Sequence, residues 1–274
     1  MKQGSPPIHP RSNDSPRGVA RAGDAPPGQY PGGASPGVAS PGELGHVPLH
    51  APFSPLREAS AWIFDLDNTL YPAAVDLFSQ IDIRMRAYIA DFLGLGLEEA
   101  FAVQKRYFAQ FGTSMRGLMD LHGLDPTAFL EHVHDIDVSV LEPSPELEAA
   151  LRALPGRKLV FTNASVAHAE RVLCRLGIDH HFADIFDIVA ADYRPKPEAE
   201  IYGRLISRYQ IEPASAVMVE DMARNLAPAA ALGLTTVWVC THSEWGAWGS
   251  DGNHIHHVVE DLAPWLTKVA AGRL

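Results

Sequence analysis

The stretch AWIFDLDNTLYP, residues 61–72, runs from four apolar residues straight into two aspartates, Asp65 and Asp67. Side chains at i and i+2 of an extended chain leave on the same side, so both carboxylates point one way. A buried strand ending in two carboxylates needs something to offset their desolvation. Three stretches downstream supply candidates. KLVFTN ends in Thr162 and Asn163, YRPKPE carries Lys196, and AVMVED ends in Glu220 and Asp221. Three or four carboxylates converging on one crevice repel one another unless a cation holds them, and all-oxygen ligation favours a hard ion, Mg2+ before others. A hydroxyl, an ammonium group, backbone N–H donors and a divalent cation together make a cradle for a phosphoryl group.

The elements that must position these groups are legible from residue 60 onward. AWIFDLD reads as a buried strand. Residues 73–142 then carry helical signals and no strand signals. In DLFSQIDIRMRAYIADFLG, Leu77, Ile81, Met85, Tyr88/Ile89 and Phe92 recur at helical spacing up to a stop at Gly94. LEEAFAVQKRYFAQFG repeats the pattern with Phe101, Phe108 and Phe111, and DPTAFLEHVHDID supplies a third helical stretch. Beyond residue 142 strands and helices alternate. SPELEAALRALPG has Ser144 as N-cap with Pro145 in the first turn. KLVFTN is a strand, SVAHAERVLCRLG a helix stopped by Gly177, and IFDIVAA a strand. PEAEIYGRLISRY is a helix, with strands AVMVED and TTVWVC after it. Such alternation implies a parallel sheet covered on both faces, with ligands bound beyond the carboxyl ends of its strands. FDLD, FTN and VED all end there.

The composition sets limits on partners. The 274 residues are 46% apolar, enough for one large α/β domain with an insertion. A net charge of −11 opposes broad contact with nucleic-acid polymers or anionic membranes, while leaving room for a small phosphorylated substrate in a locally cationic cleft. Cys174 and Cys240 are the only cysteines and are not in a CxxC spacing, which fits a reducing compartment. No apolar run reaches membrane-spanning length and the N-terminus does not read as a signal peptide, so a cytoplasmic location is expected. Residues 1–58 are dense in Pro, Gly and Ser and read as a disordered tail.

The set DxDxT (Asp65, Asp67, Thr69), a strand ending in Thr162, then Lys196, then the acidic pair Glu220–Asp221 resembles the haloacid dehalogenase superfamily. The motifs stand in that family's order across residues 60 to about 240. The resemblance implies a Rossmann-like core over 59–72 and 143–274, with 73–142 as an inserted helical C1 cap. It implies Asp65 as the nucleophile forming an aspartyl-phosphate, and Asp67 as the general acid and then base. Mg2+ would be held by Asp65, the backbone carbonyl of Asp67, and Asp221. Thr162, Asn163 and Lys196 would hold the phosphoryl oxygens, with Thr69 and Glu220 behind them. Members that cleave carbon–halogen bonds lack the second acid, so its presence here argues against dehalogenation. FDLDNTLYP, FGTSMRGLM, VHDID, TNASVAHAERVL, RPKPE and VEDMARNL are further similar to the pyrimidine 5′-nucleotidase group, with Ala164 where Gly is expected. That similarity implies a nucleoside monophosphate such as UMP or CMP as substrate. The alternatives are a phosphatase of another small metabolite, such as phosphoglycolate or a sugar phosphate, or a phosphomutase.

Other conspicuous residues have simpler readings. His254, His256 and His257 fit a partly exposed edge strand. His132 and His134 lie two apart, off a common helical face. Trp238, Trp245, Trp248 and Trp265 read as packing residues, and Cys240 as core.

Overall fold

A computed structural model describes residues 54–273. Most of the expected disordered tail lies outside the described residues. Its last residues form a short helix, α1 (Ser54–Arg57), whose Leu56 is buried in the main core, so the packed chain begins ahead of residue 59.

Strand β1 (Ala61–Phe64) is followed by four helices: α2 (Leu77–Leu93), α3 (Leu97–Phe111), α4 (Ser114–His122) and α5 (Pro126–Val133). The chain continues through α6 (Pro145–Ala153), β2 (Arg157–Phe161), α7 (Val166–Leu176), β3 (Asp184–Phe186) and α8 (Ala199–Tyr209). It ends with β4 (Ala216–Glu220), α9 (Ala223–Ala231), β5 (Thr235–Val239), α10 (Glu244–Ala247), β6 (His257–Val259) and α11 (Leu262–Ala271). The six strands form one sheet in the order β3-β2-β1-β4-β5-β6, and every pairing is parallel. The chain walks outward from β1 to β3 and then returns to the far side of β1 with β4. A parallel sheet opens a crevice at such a reversal, and here Asp65 and Glu220 flank it.

The four inner strands, β2, β1, β4 and β5, are buried on both faces, and their side chains alternate between two cores. Trp62, Phe64, Val160, Val217, Val219 and Val237 face the larger core, shared with α6, α7, α11 and the inserted helices. Ala61, Ile63, Leu159, Phe161, Met218 and Trp238 face the smaller one, shared with α8 and α9. The period of two is the geometric consequence of the pleat.

Local expectations fared unevenly. Gly94 ends α2 in the left-handed region and Ser144 caps α6 through a bond to Leu147 N–H. The helical spacing located α3, but of its three phenylalanines only Phe111 packs against the main core. Ala100, Val103, Gln104 and Tyr107 point inward, whereas Phe101 is exposed and lies under the Arg86 and Lys105 cations. Of IFDIVAA, only Ile185 and Phe186 pair as strand, in β3. Asp187 then turns the chain, its carboxylate accepting from Val166 N–H and Ala190 N–H. Cys240 is only partly buried, beyond the end of β5. The histidine-rich segment does form the edge strand β6.

Candidate active site

The turn after β1 carries the aspartate pair. Asp65 N–H donates to Val219 O at 2.9 Å, extending the β1–β4 ladder to the first carboxylate. Asn68 then adopts φ 61°, a left-handed conformation that asparagine tolerates better than most residues, which reverses the chain there.

Lys196 is the hub. It is 1% exposed, and its Nζ donates to Asp65 Oδ1 at 2.6 Å, Glu220 Oε2 at 2.7 Å and Phe161 O at 2.9 Å. These acceptors come from the carboxyl ends of β1, β4 and β2, so one ammonium joins three strands. Its three N–H donors are matched by three acceptors. Burial alone would lower the Lys196 pKa, but Asp65 and Glu220 outweigh it and hold the ammonium above its usual range. The second Asp65 oxygen accepts from Thr69 Oγ1 at 3.0 Å. Burial and then the Glu220 charge push the Asp65 carboxyl up to about 7, against the pull of Lys196.

Glu220 is fully engaged. Its Oε1 accepts from Met222 N–H at 3.2 Å and Asn225 Nδ2 at 3.1 Å, while Oε2 takes Lys196. Asp221 is also buried, and burial followed by the charges of Glu220 and Asp65 raises its carboxyl well above the ordinary value. Its backbone carbonyl is fixed by Trp238 Nε1 at 2.8 Å, which gives that tryptophan a place in the site's scaffold as well as in the core. Carboxylate oxygens of Asp65, Glu220 and Asp221 can lie within 4.8 Å of one another. This crowded, all-oxygen donor set fits a hard divalent cation. Glu220 accepts three donors, from Lys196, Asn225 and Met222, whereas Asp65 accepts one at each oxygen, so Asp65 and Asp221 are the side chains with more capacity to hold one. A second group, Glu148, His180 and His181, is equally close, but Arg152 and His181 already pair with its carboxylate and a guanidinium opposes a cation there.

Thr162 and Asn163 occupy the end of β2 as expected, with different engagements. Thr162 Oγ1 accepts from Ala164 N–H at 3.0 Å, so that backbone donor is committed locally and the threonine hydroxyl proton remains to donate. Asn163 Oδ1 accepts from Lys196 N–H at 2.9 Å and so anchors the backbone of the hub residue.

Asp67 has partners that the motifs did not disclose. Tyr71 OH donates to its Oδ1 at 2.7 Å, and His168 Nε2 meets the same oxygen at 2.9 Å. Burial would raise this carboxyl, but His168 first and Tyr71 second bring it below the ordinary range. Tyr71 lies four residues past Asp67 in the same turn. His168 occupies the buried face of α7 together with Ala169, Val172 and Leu173. The available clue was a histidine on the core face of a helix that follows a candidate strand end. His134, noted above only for lying off a common helical face with His132, stacks on His168.

The sequence matches the haloacid dehalogenase-like hydrolase family over residues 60–233. Phosphate metabolism protein 8 of Saccharomyces cerevisiae is 29% identical over 155 residues, which cover 51% of this chain and 45% of that protein; the chain therefore spans less than half of the yeast relative. Protein CbbY of Rhodobacter capsulatus is 24% identical over 232 residues, 77% of this chain and 97% of that protein. Among solved structures, a HAD phosphatase from Thermococcus onnurineus shares the fold, with a TM-score of 0.53 and 20% identity over 77% of this chain and 96% of that one. The motif order, the parallel sheet and the family match agree: this chain belongs to the haloacid dehalogenase-like hydrolases.

Proposed function

We propose that this protein is a Mg2+-dependent phosphomonoesterase that acts through an aspartyl-phosphate on Asp65, with pyrimidine nucleoside 5′-monophosphates as substrates. The carrying observation is the division of labour between the two aspartates. Asp65 shares Lys196 and the carboxylate cluster, where a bound cation would offset the burial and the Glu220 charge that hold its carboxyl up and so leave it ionised as a nucleophile. Asp67 instead turns its side chain away from the cluster to Tyr71 and His168, the place for a proton carrier.

In this reading Asp65 attacks phosphorus while Asp67 gives a proton to the departing ester oxygen. The O–P bond to Asp65 forms as the bond to the nucleoside oxygen breaks. Asp67 then takes a proton from the water that cleaves the aspartyl-phosphate, releasing phosphate and restoring Asp65. The Lys196 charge neutralises the transferring phosphoryl oxygens, and Thr162 and Asn163 orient them. Asp65, Asp221 and the Asp67 carbonyl would hold Mg2+, which when bound would supply charge neutralisation for that group. The four helices α2 to α5 act as the cap over the site. The substrate assignment rests on the similarity of FDLDNTLYP, TNASVAHAERVL and VEDMARNL to the pyrimidine 5′-nucleotidase group.

The test is phosphate release from UMP, CMP, dTMP, AMP, GMP, phosphoglycolate and hexose phosphates, with Mg2+ and with EDTA, for the wild type and Asp65→Asn. Release from UMP and CMP ahead of the rest, abolished by EDTA and by the substitution, is the expected result. Preference for another ester would discard the substrate and keep the mechanism, while no release from any ester would overturn both.

A further inference from the structure

Both donors that reach the Asp67 side chain bind the same oxygen. Tyr71 OH and His168 Nε2 converge on Oδ1 at 2.7 and 2.9 Å, and among the described residues no protein group donates to Oδ2. Two bonds on one oxygen, arriving from the β1 turn and from α7, prevent the carboxyl from exchanging its oxygens by rotation. His168 is itself fixed. It is 0% exposed, and the His134 ring lies nearly parallel to it at 4.5 Å with a 20° tilt. His134 Nδ1 pairs with Oγ of Ser165, the N-cap of α7, at 3.1 Å, and Arg171 bonds the His134 carbonyl. His168 Nδ1 has no hydrogen-bond partner among the described residues, which suits the tautomer with the proton on Nε2, since a bare nitrogen is cheaper to bury than an orphaned N–H.

We infer that Tyr71 and His168 are positioning residues that dedicate Asp67 Oδ2 to proton transfer, with the His134 ring holding His168 in register. The inference rests on the phosphomonoesterase reading above. In the first half-reaction Oδ2–H passes its proton to the ester oxygen as the bond from that oxygen to phosphorus breaks and the Asp65 bond forms. In the second, Oδ2 takes a proton from water as the water oxygen bonds phosphorus and the Asp65 bond breaks. Oδ1 keeps its two hydrogen bonds throughout. His134 caps the end of α5 within the insertion, so this contact also ties the insertion to the proton carrier.

The experiment compares kcat/KM for two esters, a nucleoside 5′-monophosphate and p-nitrophenyl phosphate. The first must receive a proton to leave, while the second leaves as a stable phenolate. kcat/KM covers the steps through departure of that group, so it isolates the proton donation. Variants are Tyr71→Phe, His168→Leu and His168→Gln, the last able to set an amide N–H near the position of Nε2. Tyr71→Phe and His168→Leu are expected to lower kcat/KM for the nucleotide by about 10- to 100-fold. On p-nitrophenyl phosphate the loss should stay within about threefold of wild type, and His168→Gln should recover most of the nucleotide rate. Equal losses on both esters, or no loss, would overturn the inference. Should His168→Leu fail to fold, Tyr71→Phe alone must still show the selective loss. A wild type inactive on both esters, or an active Asp65→Asn, would instead overturn the phosphomonoesterase reading itself.

Discussion

The Lys196 ammonium lies 2.6 Å from Asp65 Oδ1, inside a sheet crevice where the lysine is 1% exposed. With Glu220 on its other side, this lysine is the counter-charge for two buried carboxylates. Removing one partner of such a group leaves charge in a poorly solvated place, which costs about 3–5 kcal/mol. Lys196→Met should therefore lower the urea midpoint strongly as well as abolish phosphate release. Adding Glu220→Gln should return part of the lost stability without returning activity, because the double variant buries one fewer unpaired charge. Additive losses in the double variant would refute this account of the hub.

Asp65 gives a pH signature that needs no turnover. Its carboxyl titrates near 7 in the fold against an ordinary 3.8, chiefly through burial and Glu220. Between those values the folded state binds more protons than the unfolded chain, so this residue's contribution to stability falls as pH rises from about 4 to 7 and is level above that. Asp65→Asn removes the contribution. In EDTA, the melting temperature of the variant relative to wild type should climb through that window, by an amount of order 5 °C, and then plateau. A difference independent of pH would show that Asp65 is not held protonated by its surroundings.

The part of the site that could be read from sequence is the part carried by strand ends. A parallel sheet delivers the residues after β1, β2 and β4 to one edge, so Asp65, Thr162, Glu220 and Asp221 were placed by topology alone. Lys196 was found by its motif, and its three-way bonding adds the reason for it. What sequence concealed was held by packing. His168 lies 101 residues from Asp67 and meets it only because α7 docks on the sheet. His134 reaches His168 only because the end of α5 packs against α7. For α3, spacing by large aromatic residues misled at Phe101, which suits a surface where cations cover it, whereas Ala100 and Gln104 fit the close approach of α2.

Gly112 ends α3 with φ 84°, and a Cβ there would lie 2.9 Å from Pro195 Cγ and 3.2 Å from Lys196 O. The inserted helices thus press directly on the segment that carries the hub lysine. Gly94 provides the control, since it also has positive φ, 66°, but nothing within 4 Å of its added Cβ. Gly94→Ala should cost about 1 kcal/mol of stability with kcat unchanged. Gly112→Ala should cost more and also reduce kcat, because the displaced atoms include the Lys196 backbone. Equal effects of the two substitutions on kcat would show that the contact at Gly112 does not reach the site.

Arg224 is a further tie between the insertion and the sheet. Its guanidinium carbon lies 4.5 Å from the Phe108 ring centroid and 4.7 Å from that of Trp248, and Nη2 donates to Gly112 O at 3.3 Å. Phe108 and Gly112 belong to the insertion, whereas Arg224 opens α9 and Trp248 follows α10. A cation between two aromatic faces, partly shielded from water, is worth about 1–2 kcal/mol, and the planar guanidinium suits a stack in a way an ammonium does not. Arg224→Ala should therefore loosen the end of α3 while leaving the strands intact. Amide hydrogen exchange is the measurement: protection should drop by about tenfold across α3 and the turn into α4, with β1 and β4 unchanged. Arg224→Lys should fall between wild type and alanine, nearer alanine. Uniform loss of protection through the sheet would mean that Arg224 supports the whole domain, and no change in α3 would mean that the stack contributes nothing to holding the insertion in place.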